Sequence, residues 1–221
     1  MSGVRAGALL SVLVLVTSLW WRTLGKPELS AHAGLPFHAV PKPQVTAGDH
    51  PPSGSEPPET QPPGGPTVTD ADVLRLRGRG LLLPVEGYDP AQLRDGFRES
   101  RGDHVHAAID LMAPRGTPVR AVEDGTIRKL FTSGRGGLSI YHFDPEGRYC
   151  YFYAHLDHYA PFLSEGRMVR KGEVIGYVGT TGNAPRNAPH LHFAIVKLDG
   201  SGRWWEGTPI NPYLMWASAL E

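Results

Sequence analysis

Two kinds of side chain alternate along one stretch of this chain, Tyr149-Cys150-Tyr151-Phe152-Tyr153-Ala154-His155-Leu156. The odd positions carry tyrosines and then a histidine, whereas the even positions carry Cys, Phe, Ala and Leu. Successive side chains of a β-strand point to opposite faces, so the pattern predicts a strand with one polar and one apolar face. We expect the tyrosine face, which ends in His155, to line a site and the opposite face to pack in the core.

Two other motifs have the same even spacing. His106 precedes Asp110 by four positions and His190 precedes His192 by two, so each pair can share one face of a strand. Positions 191, 193 and 195 are apolar and would form the buried face of the second strand. We therefore expect three strands to bring polar side chains to one site.

The polar side chains of these motifs are the ligand types that zinc prefers. A catalytic zinc site uses three imidazole or carboxylate ligands and leaves one position for water. Asp110 lies within the apolar run 107–112, where an ionised carboxylate is costly unless it is paired or bound to a metal. Two histidines and a carboxylate also form the facial triad of Fe(II) oxygenases, but two extra histidines on the same face favour hydrolysis and zinc.

Each histidine also has an ordinary explanation, because a single histidine is usually a surface residue or a hydrogen-bonded core residue. We interpret six of them in this way: His32, His38, His50, His104, His142 and His158. For the other four, the joint occurrence of an HxxxD pair, an HxH pair and a further strand histidine favours a metal site.

Between about residues 80 and 215 the chain resembles the lysostaphin and LytM-like zinc endopeptidases, which cut the peptide bridges of bacterial peptidoglycan. The three histidine motifs carry this resemblance together with further stretches in matching order: Ala113–Val119, Ala121–Ile127, Lys171–Gly176 and Gly179–Phe193. The resemblance implies a mainly antiparallel β-sheet domain of the LytM-like (duplicated hybrid motif) type, with short helices and long loops.

The resemblance also assigns roles. It implies that His106, Asp110 and His192 bind Zn²⁺ and that His155 and His190 are the catalytic histidines. The implied function is a zinc-dependent endopeptidase that hydrolyses peptide bonds in peptidoglycan cross-links or stem peptides. No H-E-x-x-H helix motif is present, so histidine would replace the glutamate base of that metalloprotease class.

One position departs from the family, which usually has glycine where this chain has Ala108. Glycine there would permit an unusual dihedral or a close backbone approach, so local geometry is the point in question. Some relatives have lost zinc ligands and activate amidases, so a non-hydrolytic cell-wall-binding module or amidase activator is the alternative function. A protease for an envelope protein is a third. The five occupied positions favour an active enzyme.

The amino-terminal residues 1–30 predict a membrane segment. The stretch Ala6–Trp21 has no charge and would be roughly 24 Å long as a helix, somewhat short of a hydrocarbon core of about 30 Å. A cleaved signal peptide is the competing interpretation, since an A-x-A pattern occurs at Ala31–Ala33. The expected location is the bacterial cell envelope, membrane-anchored with the catalytic domain outside the cytoplasm, or secreted if the segment is cleaved.

Composition divides the rest of the chain into two parts. Residues 31–69 are rich in proline and predict a disordered linker that could act as a long tether. Residues 70–221 have the size of one domain, the predicted metallopeptidase. We expect a short helix over Asp70–Arg77 that ends at Gly78, and loops at Ser133–Gly137 and Thr180–Ala188 that border the cleft.

Charge and the rarer side chains indicate few further partners. The net charge is zero, with 22 basic and 22 acidic residues, and this argues against nucleic acid. The single Cys150 precludes an internal disulfide and is expected to be a buried structural thiol. Trp204, Trp205 and Trp216 either line a groove for substrate or close the core, and the core is the commoner role. The sequence does not indicate an oligomeric state.

Overall fold

The computed structural model describes residues 65–102 and 104–217. The predicted amino-terminal membrane segment and most of the predicted linker lie outside these residues. Within them, no helix has both the length and the apolar character needed to cross a bilayer. Thr67 and Val68, at the end of the predicted linker, contact the domain: Lys197 donates to the Thr67 carbonyl, and Val68 packs against the core.

The described chain is built mainly of β-strands, as predicted. One α-helix, α1, covers Asp70–Gly78, and short 3₁₀ helices cover Pro90–Gln92 and Pro212–Met215. The strands are β1 Ile109–Met112, β2 Pro118–Arg120, β3 Gly125–Ser133, β4 Gly137–Phe143, β5 Tyr149–Tyr159, β6 Met168–Val169, β7 Val174–Val178, β8 His190–Leu198 and β9 Gly207–Ile210.

All the strand pairs in this sheet are antiparallel. Six strands lie in the order β1-β8-β5-β4-β3-β6, with β9 against β8 and the β2–β7 pair joined to β5. Strand β8 therefore lies between β1 and β5, and the three histidine motifs come to neighbouring positions. The predicted fold class is confirmed.

The helix α1 has the predicted limits. The Thr69 amide donates to the Asp72 carboxylate at 2.9 Å, which satisfies one backbone donor before the first turn. Asp72 also accepts from the Tyr149 hydroxyl at 2.9 Å and from Lys197, so the helix is attached to β5 and β8. Leu76 on the same helix is fully buried in the main core.

Strand β8 has the predicted buried face, and beyond His192 its other face packs in a second apolar cluster that the sequence analysis did not predict. Leu191, Phe193 and Ile195 belong to the main core, whereas Ala194 and Val196 belong to a second cluster on the other face. The tryptophans close these cores and do not line a groove: Trp204 and Trp205 lie in the second cluster and Trp216 in the main core, all 8% exposed or less. The core alternative for the three tryptophans is therefore confirmed.

The prediction for the tyrosine face of β5 is wrong. Tyr149, Tyr151 and Tyr153 are at most 1% exposed and pack in the main core. Their hydroxyls are hydrogen-bonded, and Tyr151 for example donates to Glu123. The rings are therefore buried without leaving a hydroxyl group unpaired. Phe152 and Ala154 instead lie on the face that leads to the site, beside the buried thiol of Cys150.

His155 reaches the site because β5 changes phase at this residue. Its φ is +60°, in the left-handed region that side chains other than glycine rarely adopt. Up to Ala154 the strand pairs with β8, and from Leu156 onward it pairs with β7. Leu156 returns to the main core although it has the same parity as Phe152 and Ala154. The irregular residue thus places two successive side chains, Ala154 and His155, beside the same cavity.

The closest packing of the sheet suggests a direct test of the fold. A Cβ at Gly125 would lie 2.1 Å from the Phe143 carbonyl oxygen, whereas a Cβ at Gly78 would have nothing within 4 Å. We expect Gly125→Ala to lower the free energy of unfolding by at least about 2 kcal/mol through overpacking. Gly78→Ala should change it by less than about 1 kcal/mol. Urea unfolding of both variants checks this, and equal effects would contradict the packing described.

His142 on β4 is a buried histidine outside the site. It is fully buried, its Nδ1 lies 3.3 Å from the Tyr153 hydroxyl oxygen, and its Nε2 has no hydrogen-bond partner among the described residues. Burial lowers the pKa of His142 to about 4 from 6.5. The unfolded chain therefore binds a proton at higher pH than the folded protein does.

This buried imidazole should make folding weaken in acid. As the pH falls from 6.5 toward about 4, the unfolded chain takes up a proton on His142 that the folded protein does not. The free energy of unfolding therefore keeps its full value above pH 6.5 and falls by roughly 3 kcal/mol across this range. We expect His142→Leu to flatten the decline of unfolding free energy between pH 7 and pH 4.5. Urea titrations with chelator present measure this. Parallel curves for the two proteins would show that His142 is not the titrating group.

Candidate metal and catalytic site

Three side chains converge on one point at the edge shared by β1 and β8. His106 Nε2 lies 3.0 Å from Asp110 Oδ1 and 3.1 Å from His192 Nδ1, and the last two atoms are 3.3 Å apart. His106 is 6% exposed, and the other two are half-buried. These are the three residues of the predicted metal set, and the structure brings them together as a possible metal site.

The donor atoms of this cluster suit a cation. His106 Nδ1 lies 3.1 Å from the Gly96 carbonyl oxygen, which only accepts, so Nδ1 carries the proton and the neutral ring presents a lone pair at Nε2. The lone pair of His106 Nε2 then faces the Asp110 carboxylate oxygen, which is unfavourable unless a cation, or a proton on His192 Nδ1, lies between them. Ligand atoms around tetrahedral zinc are separated by about 3.3 Å, given bonds of about 2.0–2.1 Å. The observed spacings fit that geometry.

Strand pairing positions two of these ligands. Asp110 and His192 are direct partners in the β1–β8 ladder, so their side chains share one face. His106 precedes β1, and Ala107 after it has a φ of +51°. The expected even-spaced strand is therefore wrong for His106, although the side chain does reach Asp110. Ala108 is fully buried and lies outside the left-handed region, so the methyl group at this departure from the family is accommodated.

The two predicted catalytic histidines lie beside the metal cluster. The ring centroid of His155 is 4.9 Å from that of His190 and 5.7 Å from that of His192. His155 Nδ1 donates to the Thr181 carbonyl at 2.9 Å, and His190 Nδ1 donates to the Ala188 carbonyl at 2.8 Å. In the neutral form of either ring, this hydrogen bond places the proton on Nδ1 and leaves Nε2 able to accept a proton.

Electrostatics keep the site in the required ionisation state. Burial lowers the pKa of His155 to about 4, and the neighbouring His192 and His190 act in the same direction. His155 is therefore neutral at pH 7 and suited to accept a proton. Burial alone would raise the pKa of Asp110, but the adjacent imidazoles of His106 and His192 lower it, so that the pKa lies well below its usual range. Asp110 is therefore a carboxylate.

Arginine and histidine residues that sequence reasoning missed also border the site. Arg101 Nη2 lies 2.9 Å from Asp110 Oδ2 and 3.0 Å from Glu99, so it holds the carboxylate oxygen that faces away from the cluster. His104, interpreted from sequence as an ordinary histidine, contacts Arg135 at the mouth of the cavity. These loop residues have no periodic pattern, and their one sequence signal is proximity to His106.

A cavity of about 280 Å³ opens over this cluster. Its floor includes Phe152, Ala154 and Ala194, which give an apolar surface beside the histidines. The predicted loops form its borders: Arg135 and Gly136 come from one loop, and residues 183–185 come from the other. The sequence expectation for the two cleft loops is confirmed.

The remaining described histidine lies apart from this cavity. His158 is exposed, approaches Asp157 through Nδ1 at 2.9 Å and stacks on Tyr177. His32, His38 and His50 lie outside the described residues. Four histidines and one aspartate thus form one histidine-rich site on the antiparallel sheet.

Residues 104–212 match the model of Peptidase family M23. This range contains all five predicted site residues, and the chain therefore carries a peptidase family M23 domain, as the predicted resemblance requires. The sequence prediction of the family is confirmed.

Named relatives are similar over part of their length. The chain is 33% identical over 108 residues to the L-Ala--D-Glu endopeptidase of Bacillus subtilis, covering 47% of this chain and 33% of that protein. It is 39% identical over 146 residues to the DD-carboxypeptidase/endopeptidase Mpg of Neisseria meningitidis, covering 65% and 30%. The chain thus spans about a third of the length of these relatives. A solved structure, the catalytic domain of lysostaphin from Staphylococcus simulans, has a TM-score of 0.44 at 26% identity, covering 63% of this chain and 93% of that chain.

The converging donors suggest a binding experiment. We expect the protein to bind one Zn²⁺ per chain near neutral pH and His192→Ala to weaken the affinity at least about 100-fold, because a ligand is removed. Affinity should also fall as the pH is lowered, because protons compete with the metal for its ligands. Competition with a chromophoric chelator measures both effects. His158→Ala is the matched control, and equal affinities for the two histidine variants would contradict this site.

Proposed function

We propose that this protein is a zinc-dependent endopeptidase that hydrolyses peptide bonds in peptidoglycan cross-links or stem peptides. The observation that carries this proposal is the convergence of one ligand atom each from His106, Asp110 and His192, with His155 and His190 beside them, each held through Nδ1 by a backbone carbonyl. The peptidase family M23 match supports the same chemistry.

The proposed ligands would be His106 Nε2, Asp110 Oδ1 and His192 Nδ1. Zinc held there supplies Lewis acidity and lowers the pKa of a bound water toward about 7. Such a site also accepts iron, so the metal is decided by the binding experiment.

His155 and His190 would manage the protons. With Nδ1 donating to a backbone carbonyl, each ring offers Nε2 on the side of the cavity. The lowered pKa of His155 keeps its ring unprotonated at neutral pH, which is the form that can take a proton from the attacking water. Once protonated, either imidazolium can stabilise the oxyanion or protonate the leaving amine. Both rings are 7% exposed, so bulk water competes little for these hydrogen bonds.

Peptidoglycan is the proposed substrate because the similar proteins named above are endopeptidases of L-Ala–D-Glu bonds or carry DD-carboxypeptidase/endopeptidase activity in their names. The cavity agrees with a small substrate side chain, since alanines and Phe152 form its floor.

Membrane attachment is a separate part of the proposal. The uncharged stretch Ala6–Trp21 would anchor the chain, and the proline-rich residues 31–69 would let residues 70–221 reach the wall outside the cytoplasm. A secreted form would follow if the amino-terminal segment is cleaved. Fractionation of cells that produce the full chain, with the mass of the membrane-bound product, separates the two.

Digestion of purified peptidoglycan tests the activity. We expect new peptide termini, identified by mass spectrometry, with zinc-loaded protein and none with chelator or with His192→Ala. His155→Ala and His190→Ala should lower the rate about 100-fold or more while zinc affinity stays close to wild type, because proton transfer contributes about 10²–10⁴ to such reactions.

The control and the competing functions have distinct outcomes. His158→Ala should cleave at the wild-type rate, since His158 lies away from the cavity. Intact peptidoglycan after incubation with folded, zinc-loaded protein would overturn the endopeptidase and favour a wall-binding module or an amidase activator. Cleavage of glycine-rich proteins without cleavage of the wall would indicate an envelope-protein protease.

A further inference from the structure

Thr181 lies where β5 leaves β8 and joins β7. Its hydroxyl donates to the Leu156 carbonyl at 2.7 Å and accepts from the Leu138 amide at 2.9 Å. The β4–β5 register shifts between Leu138 and Ile140. The hydroxyl thus bridges two strands at a point where their own ladder is irregular.

The same residue also holds the ring of His155. The Thr181 carbonyl oxygen accepts from His155 Nδ1 at 2.9 Å, and the His155 amide donates to the Gly136 carbonyl at 2.7 Å. One residue therefore contacts the β5 backbone directly after the phase change, bonds to the neighbouring β4 backbone and fixes the tautomer of His155.

Close packing leaves Thr181 little freedom. A Cβ at Gly137 would lie 2.2 Å from Thr181 Oγ1, and a Cβ at Gly182 would lie 2.1 Å from the Arg135 carbonyl oxygen. The two cleft loops are therefore in contact at Gly137 of one loop and Gly182 of the other. A turn held in this way can keep His155 in its left-handed conformation, which costs on the order of 1–3 kcal/mol.

We propose that the Thr181 side chain is a positioning residue for the reaction: its hydroxyl holds β5 in the irregular conformation that delivers His155 Nε2 to the cavity. This inference rests on the proposed function for its kinetic consequence, but the tautomer of His155 can be measured without any activity. The hydroxyl, rather than the bulk of the residue, is the part that matters.

Three variants separate these contributions. Thr181→Val keeps the shape and removes both hydroxyl hydrogen bonds, Thr181→Ser keeps the hydroxyl, and Thr180→Val makes the same change at the neighbouring threonine. We expect Thr181→Val to lower kcat about 10- to 100-fold with KM changed less than about threefold, because a small displacement of a proton acceptor slows the chemical step. Zinc affinity should stay within about twofold, since no ligand is touched.

The matched variants complete the kinetic test. Thr181→Ser should restore kcat to within about threefold of wild type, and Thr180→Val should leave it unchanged. A Thr181→Val protein that cleaves at the wild-type rate, or whose zinc affinity falls in step with kcat, would overturn the positioning role. Absence of cleavage by the wild-type protein would instead overturn the proposed function and leave the tautomer measurement to decide the inference.

Nitrogen-15 NMR of the histidine rings provides that measurement on zinc-loaded protein. In wild type, His155 should be the Nδ1–H tautomer, and in Thr181→Val its ring signals should show mixed tautomers while those of His190 stay unchanged. An Nε2–H tautomer of His155 in wild type would overturn the inference, and this holds even if Thr181→Val does not fold.

Discussion

The antiparallel register of β8 with its two neighbours is the constraint on which the site depends. Asp110 and His192 are partners across β1 and β8, and Ala154 is the partner of His192 across β5 and β8. Because antiparallel partners share a face, a carboxylate, an imidazole and the apolar floor are aligned by backbone hydrogen bonds alone. A slip of one residue in β8 would turn His190 and His192 into the core and Leu191 toward the cavity.

Backbone carbonyls complete what the register begins. In three of the site histidines, Nδ1 donates to a backbone carbonyl, that of Gly96, Thr181 or Ala188. The other ring nitrogen, Nε2, is therefore the one available to the cluster. Arg101 has the corresponding effect on Asp110 because it engages Oδ2 and leaves Oδ1 toward the histidines. The structure thus fixes which atom of these four side chains faces the cluster. Hydrogen-bond partners of this kind set the tautomer and orientation of the residues around a metal ion.

Sequence alternation predicted the regular half of this site. Alternation predicted that His190 and His192 share one face of β8 and that the opposite face is buried. The family resemblance supplied the five site residues that the structure brings together. Alternation is misleading for β5. Tyrosine rings are mostly apolar, and their hydroxyls bond to buried partners such as Glu123, so the tyrosine face lies in the core. Alternation also missed Arg101, since a residue in an irregular loop is positioned by tertiary contacts that leave no period in the sequence. The amino-terminal predictions concern residues that the structure does not describe.

The irregular half of the site explains why alternation could not be sufficient. The residue after His106 and the residue at His155 both have positive φ, and neither is a glycine. A strand with an unbroken period of two can present alternate residues, but β5 has to present Ala154 to the cavity floor and His155 to the cluster. Only a local break in the period allows both, and its conformational cost is offset by the contacts of Gly136 and Thr181 with His155. The strained residues therefore lie where the chemistry needs a histidine that a regular strand cannot place.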